Sequence, residues 1–166
     1  MTVIACALLS AAGFYLSLGL GTQWWLAWIA PVPVLWLAYG RSRTWVVLLA
    51  SWAAFALGVS NMLRAYAGIL PAPVWAFYPL VPGLLFASAV VASRHVRRAL
   101  GPMAAALAFA ALWAAFDLIV SLVSAAGSIA SPATAEAGAP ILVQGAALLG
   151  FSAVTFLMGA VAAGFA

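Results

Sequence analysis

The sequence has no lysine, a single cysteine and only two acidic residues, Asp117 and Glu136. The lone Cys6 excludes an intrachain disulfide and a cysteine-based metal site. It lies deep in the first apolar segment, where a small buried hydrophobe is the expected role. Charged residues make up 5% of the chain, far below the ~25% usual for water-soluble domains. A soluble fold has no means of covering so much apolar surface. The positive charge is sparse as well. Six arginines give a net charge of +4; they are few, and their two short clusters fit the membrane orientation rule better than a phosphate-binding patch. No P-loop, His-Glu-x-x-His, paired-cysteine spacing or nucleophile elbow occurs, so no metal, cofactor or self-contained catalytic motif is expected.

What is present is hydrophobic sequence: 69% of the 166 residues, with a mean hydropathy of +1.24. Lipid is the expected solvent, and in lipid the backbone must satisfy itself within helices or closed barrels. The spacing predicts an all-α, polytopic transmembrane bundle of about six spans, over residues 3–20, 23–39, 45–62, 74–92, 102–124 and 141–166. Ser10, Gly13 and Ser17 fall on one face of the first helix and suit close packing. Trp24, Trp25 and Trp28 open the second helix as an interfacial aromatic belt. Pro31 and Pro33 are expected to kink or unwind that helix. A Gly/Pro-containing connection, 67–73, should precede the fourth helix, and Pro102 suits the first turn of the fifth.

Arginine placement sets the expected orientation. Arg41 and Arg43 follow the second helix, and Arg94, Arg97 and Arg98 form a second basic loop, 93–98. Both are expected on the cytoplasmic side, together with the N-terminus. His95 in that loop reads as a solvated or headgroup-facing side chain rather than a ligand. No Arg or Lys follows the last helix, and the chain is expected to continue beyond Ala166.

The stretch from Ala111 to Leu157 organises the rest. It holds both carboxylates and the longest run without apolar periodicity, 125–139. Asp117 falls inside a predicted span, about 10 Å below its outer end. An unpaired carboxylate there costs about 2.5–3.5 kcal/mol on insertion scales, so it requires a partner or a functional role. Arg64 is the one arginine expected on the same side, and a pair between Asp117 and Arg64 is predicted. Serine hydroxyls, Ser128 among them, and Gln144 lie at similar depth and are the competing neutral partners.

The ordered set of segments resembles a known family. The Trp113 and Asp117 pair in ALWAAFDL, then Gly127-Ser128, then PILVQGAALLGFSAVTFL resembles the membrane part of bacterial apolipoprotein N-acyltransferases. WWLAWIAPVPVLWL near the start and Gly68 to Pro73 fit the same order. The likeness runs through nearly the whole chain in order and spacing. It departs from the family at Asp117, where Glu is usual, and at Val120, where Arg is common.

The resemblance implies a multi-pass protein of the bacterial plasma (inner) membrane. It implies phospholipid as acyl donor and a diacylated lipoprotein as acceptor. Trp113, Asp117, Arg64, Gly127, Ser128 and Gln144 become the candidate substrate-binding or structural positions. The family's chemistry uses a Glu-Lys-Cys triad in a nitrilase-like domain. That triad is absent from this sequence, so activity by this chain alone is not expected. The alternative expectation is a non-enzymatic membrane protein that binds lipid or a partner membrane protein.

Overall fold

The computed structural model describes residues 2–19, 23–65, 68, 72–124, 127–139, 144, 147 and 150–166. The chain enters its first helix, α1 (Val3–Ser17), through Thr2, whose hydroxyl accepts from the Ala5 N–H at 3.3 Å. This satisfies one of the donors left open at a helix start. The predicted second helix is split. A 3-10 helix covers Trp24–Trp28, and α2 (Val32–Tyr39) begins after Pro31. Pro31 and Pro33 favour the division, because proline lacks an N–H and suits a first helical turn; Pro79 and Pro82, by contrast, are accommodated within the Ala72–Leu100 helix.

Next come α3 (Thr44–Gly58) and the short α4 (Ser60–Ala65), then α5 (Ala72–Leu100) and α6 (Pro102–Val123). The second basic segment, 93–98, is therefore not a loop. It forms the last turns of α5. Nothing between Ser93 and Leu100 breaks a helix, and cations there complement the helix C-terminus. The break falls at Gly101, whose φ of +90° is open to glycine but costly for other residues. Pro102 then occupies the first turn of α6, as expected. The connection expected over 67–73 also ends early, because α5 starts at Ala72.

The non-periodic stretch folds into two 3-10 helices, Gly127–Ala130 and Pro132–Gly138. The final described helix is α7 (Phe151–Gly164). Residues 141–143, 145, 146, 148 and 149 of the predicted last helix lie outside the described residues, as does the predicted turn at 21–22. No strand occurs among the described residues, so the fold is all-α. Among the described residues, three helical stretches are long and apolar enough to cross a membrane: Thr44–Met62, Pro79–Leu100 and Pro102–Val123. Val3–Ser17, Trp24–Tyr39 and Phe151–Gly164 are apolar but shorter.

α3 packs against α1 and α5, and α6 packs against α5 and α7. Aromatic rings fill the centre. Phe14, Phe55 and Phe86 meet with centroids 5.2–5.4 Å apart, and Phe86 continues the cluster to Phe109 and Trp113. Small residues let the helices approach. Ser10 and Ser17 of α1 are buried, as expected of that face. At Gly58 a Cβ would fall 2.2 Å from the Phe14 Cβ, so only glycine fits that α1–α3 contact. Leu122 and Met103 are among the apolar side chains turned outward, at 77% and 75% exposure, which suits a lipid-facing exterior.

The two arginine-bearing segments meet at one end of this bundle. Arg94 Nη2 donates to the Ser42 carbonyl, and the Arg97 guanidinium lies 4.3 Å from the Tyr39 ring centroid. The 3-10 segments and both carboxylates occupy the other end.

Candidate functional site

Asp117 sits on the buried face of α6, at the same azimuth as Trp113 and one turn beyond it. It is 8% exposed. Its Oδ2 accepts two hydrogen bonds of 2.7 Å, one from Ser131 Oγ and one from Thr155 Oγ1 of α7. Ser131 holds the entry to the Pro132–Gly138 helix at the same time. Its Oγ accepts from the Ala133 N–H at 3.3 Å, and its carbonyl accepts from Thr134 Oγ1 at 2.7 Å. Serine followed by proline is a favoured way to begin such a turn. A cavity of about 20 Å³, space for roughly one water, lies beside Asp117. Trp113, Phe116, Phe55, Phe86, Val120 and Pro132 line it.

The same 3-10 helix is fastened at a second point. Glu136 is 1% exposed, and its Oε1 accepts from Trp28 Nε1 at 2.7 Å. Its Oε2 is buried and has no hydrogen-bond partner. Burial raises the Glu136 carboxyl above its ordinary value, and the Trp28 hydrogen bond partly opposes the shift. Trp24 also lies beneath this segment, close to Gly138. The tryptophans at 24–28 therefore do more than mark an interface. Trp25 remains 49% exposed, whereas Trp28 reaches inward to hold Glu136.

The predicted candidates separate into groups. Trp113 and Asp117 share the small cavity, and Trp113 is also a core residue at 3% exposure. Gly127 begins the Gly127–Ala130 3-10 helix with φ +58°, and Ser128 beside it is exposed. Gln144 is helical and exposed. Neither Ser128 nor Gln144 is bonded to Asp117; Ser131 and Thr155 fill that role. The Arg64 backbone belongs to α4, and its side chain lies outside the described residues.

Sequence reasoning expected hydroxyl competitors for Asp117 but not these two. Helix depth held the missing signal for Thr155. It lies about four residues into α7, ~6 Å from the helix start, near the depth of Asp117 below the end of α6. Glu136 carried half a signal, as the only charge in the 125–139 stretch, but its Trp28 partner lies 108 positions away in sequence.

Chemically, the arrangement can fix a segment over one end of the bundle and present its exposed residues. Among the described residues no group of three or more His, Cys, Asp or Glu side chains is placed to hold a metal ion. Comparison with known proteins adds no identity: no protein-family model, curated protein or solved structure matches the chain.

Proposed function

We propose that this chain is the membrane-embedded portion of an apolipoprotein N-acyltransferase-like enzyme. In this reading it crosses the bacterial plasma membrane about six times, with the arginine end and the N-terminus in the cytoplasm. Its outer end holds a phospholipid acyl donor and a diacylated lipoprotein acceptor for a nitrilase-like catalytic domain that is not in this sequence.

The observation that carries the reading is the double fastening of the 127–138 segment. Asp117 ties it to α6 and α7 through Ser131 and Thr155, and Trp28 ties it to the second predicted span through Glu136. A carboxylate buried in an apolar helix to secure an irregular segment is an expensive device. It produces a rigid, mostly uncharged platform at one end of the bundle, beside lipid-facing helices. A platform of this kind suits a site where acyl chains and a lipidated N-terminus are positioned rather than chemically altered. The absence of lysine, and the burial of Cys6 at 1% exposure, support placing the acyl-transfer chemistry elsewhere.

The test is binding without turnover. The chain in phospholipid nanodiscs is titrated with a fluorescent diacylated lipopeptide, and the products are examined by mass spectrometry. Saturable binding that Asp117→Ala weakens, with no triacylated product, is the expected result. Failure to bind above empty nanodiscs would reject the acyltransferase reading and leave the non-enzymatic one.

A further inference from the structure

The arginine end of the bundle has an electrostatic imbalance that the outer platform does not explain. Five arginines, Arg41, Arg43, Arg94, Arg97 and Arg98, gather there, joined by His95. The chain's two acidic side chains are both committed at the opposite end, Asp117 to Ser131 and Thr155, Glu136 to Trp28. No acidic side chain is therefore left to neutralise the cluster.

Two members of the cluster, Arg41 and Arg97, line a pocket. A cavity of about 420 Å³ opens between α1, the turn after α2, and the last turns of α5. Its walls include Cys6, Trp36, Tyr39, Arg41, Ser42 and Arg97. That volume is within the range of small-ligand sites. Arg97 is held by its stacking on Tyr39, and Arg41 is exposed. Behind the wall, Arg94 is only 4% exposed and supports Ser42 through its Nη2. Its Nε and Nη1 are buried without hydrogen-bond partners among the described residues. A guanidinium always carries its charge, so Arg94 is a fixed and largely uncompensated positive centre under the pocket. Poorly hydrated surroundings make its field stronger than that of a solvated side chain.

We propose that this pocket binds the phosphate of an anionic phospholipid headgroup from the adjacent leaflet. Arg41 and Arg97 contact the phosphate, while Arg94 acts as a positioning residue that holds Ser42 and adds charge from behind. Guanidinium forks match phosphate oxygens, and basic pockets between membrane helices recognise such headgroups. Trp36, 50% exposed, offers an apolar flank toward the glycerol backbone. Arg43 and Arg98 are exposed and outside the pocket, so they belong to the general surface charge.

The experiment is native mass spectrometry of the full chain with phosphatidylglycerol and phosphatidylcholine of matched acyl chains. Preferential retention of phosphatidylglycerol is expected. Arg41→Gln should weaken that preference roughly fivefold, the effect of one arginine near an anionic headgroup. Arg97→Gln should do the same, while Arg43→Gln and Arg98→Gln should leave the preference in place. Thermal midpoints of all four variants in phosphatidylcholine alone would separate loss of binding from loss of fold. Equal losses from all four arginines would mean diffuse surface attraction and overturn the pocket. Stabilisation in phosphatidylcholine by excess inorganic phosphate, matching that by phosphatidylglycerol, would overturn the lipid assignment in favour of a soluble phosphate.

Discussion

Thr155 Oγ1 donates a 2.7 Å hydrogen bond to Asp117 Oδ2, joining α7 to α6 across a buried contact. The same oxygen accepts from Ser131, so one carboxylate unites two helices and the segment between them. Thr155→Val preserves shape and removes the donor, and Asp117→Asn removes the charge. A double-mutant cycle on thermal unfolding in detergent should give a coupling of about 1 kcal/mol, typical of interhelical polar contacts in bilayer-embedded bundles. Additive losses would show that the two side chains do not support one another.

The Arg64 pairing remains a separate prediction. Asp117 already accepts two hydroxyl bonds, so a charge partner would add to that arrangement. Combining Arg64→Gln with Asp117→Asn should then cost less than the sum of the two single changes. Additivity here would leave the hydroxyls as the partners that matter.

Glu136 should make the platform sensitive to pH. Its carboxyl is raised in the folded state by burial, so folding favours the protonated form. Its contribution is therefore greatest at acid pH and is lost as pH rises from the ordinary glutamate range through the raised value. Glu136→Gln should flatten that dependence and leave the chain more stable than wild type on the alkaline side. Hydrogen exchange of residues 132–138 across a pH series would measure it. Greater protection of wild type at alkaline pH than at acid pH would contradict the sign.

At Gly58, any side chain must displace Phe14, because a Cβ there would fall 2.2 Å from the Phe14 Cβ. Gly58→Leu should destabilise the bundle by about 1–3 kcal/mol through overpacking. A stability unchanged from wild type would mean α1 and α3 are looser than their geometry indicates.

Much of the helical plan was legible because apolar length and helix breakers are local properties. Pro31 and Pro33 foretell the division of the second helix, and Pro102 the first turn of α6. The extent of α5 differs from the sequence expectation at 93–98, where the arginine cluster suggests a loop but the chain stays helical to Leu100. Charge governs which side of a membrane a segment occupies, but glycine and proline govern where a helix stops, and the stop is Gly101. The site was half legible. Asp117 stood out because a carboxylate in an apolar helix is costly. Its partners did not, because serine and threonine hydroxyls are common in such helices and only the packing selects Ser131 and Thr155. Glu136 falls in the stretch without apolar periodicity, and its contact with Trp28 joins residues 108 positions apart, beyond any local pattern.

Orientation is checked by single cysteines at Ser42 and Ala137 in a Cys6→Ala background. With the arginine end in the cytoplasm, a membrane-impermeant thiol reagent should label Ala137→Cys and spare Ser42→Cys in intact spheroplasts. The reverse pattern would invert the bundle and move the 127–138 platform to the cytoplasmic face.

The most direct test of the platform's role is a contact map with its proposed substrate. A diacylated lipopeptide carrying a photoreactive group beside its N-terminal cysteine is irradiated with the nanodisc-embedded chain, and adducts are located by peptide mass spectrometry. Adducts concentrated within residues 127–138, and reduced by Asp117→Ala, are the predicted result. Adducts spread evenly over the lipid-facing helices, or concentrated around Arg41 and Arg97, would contradict it.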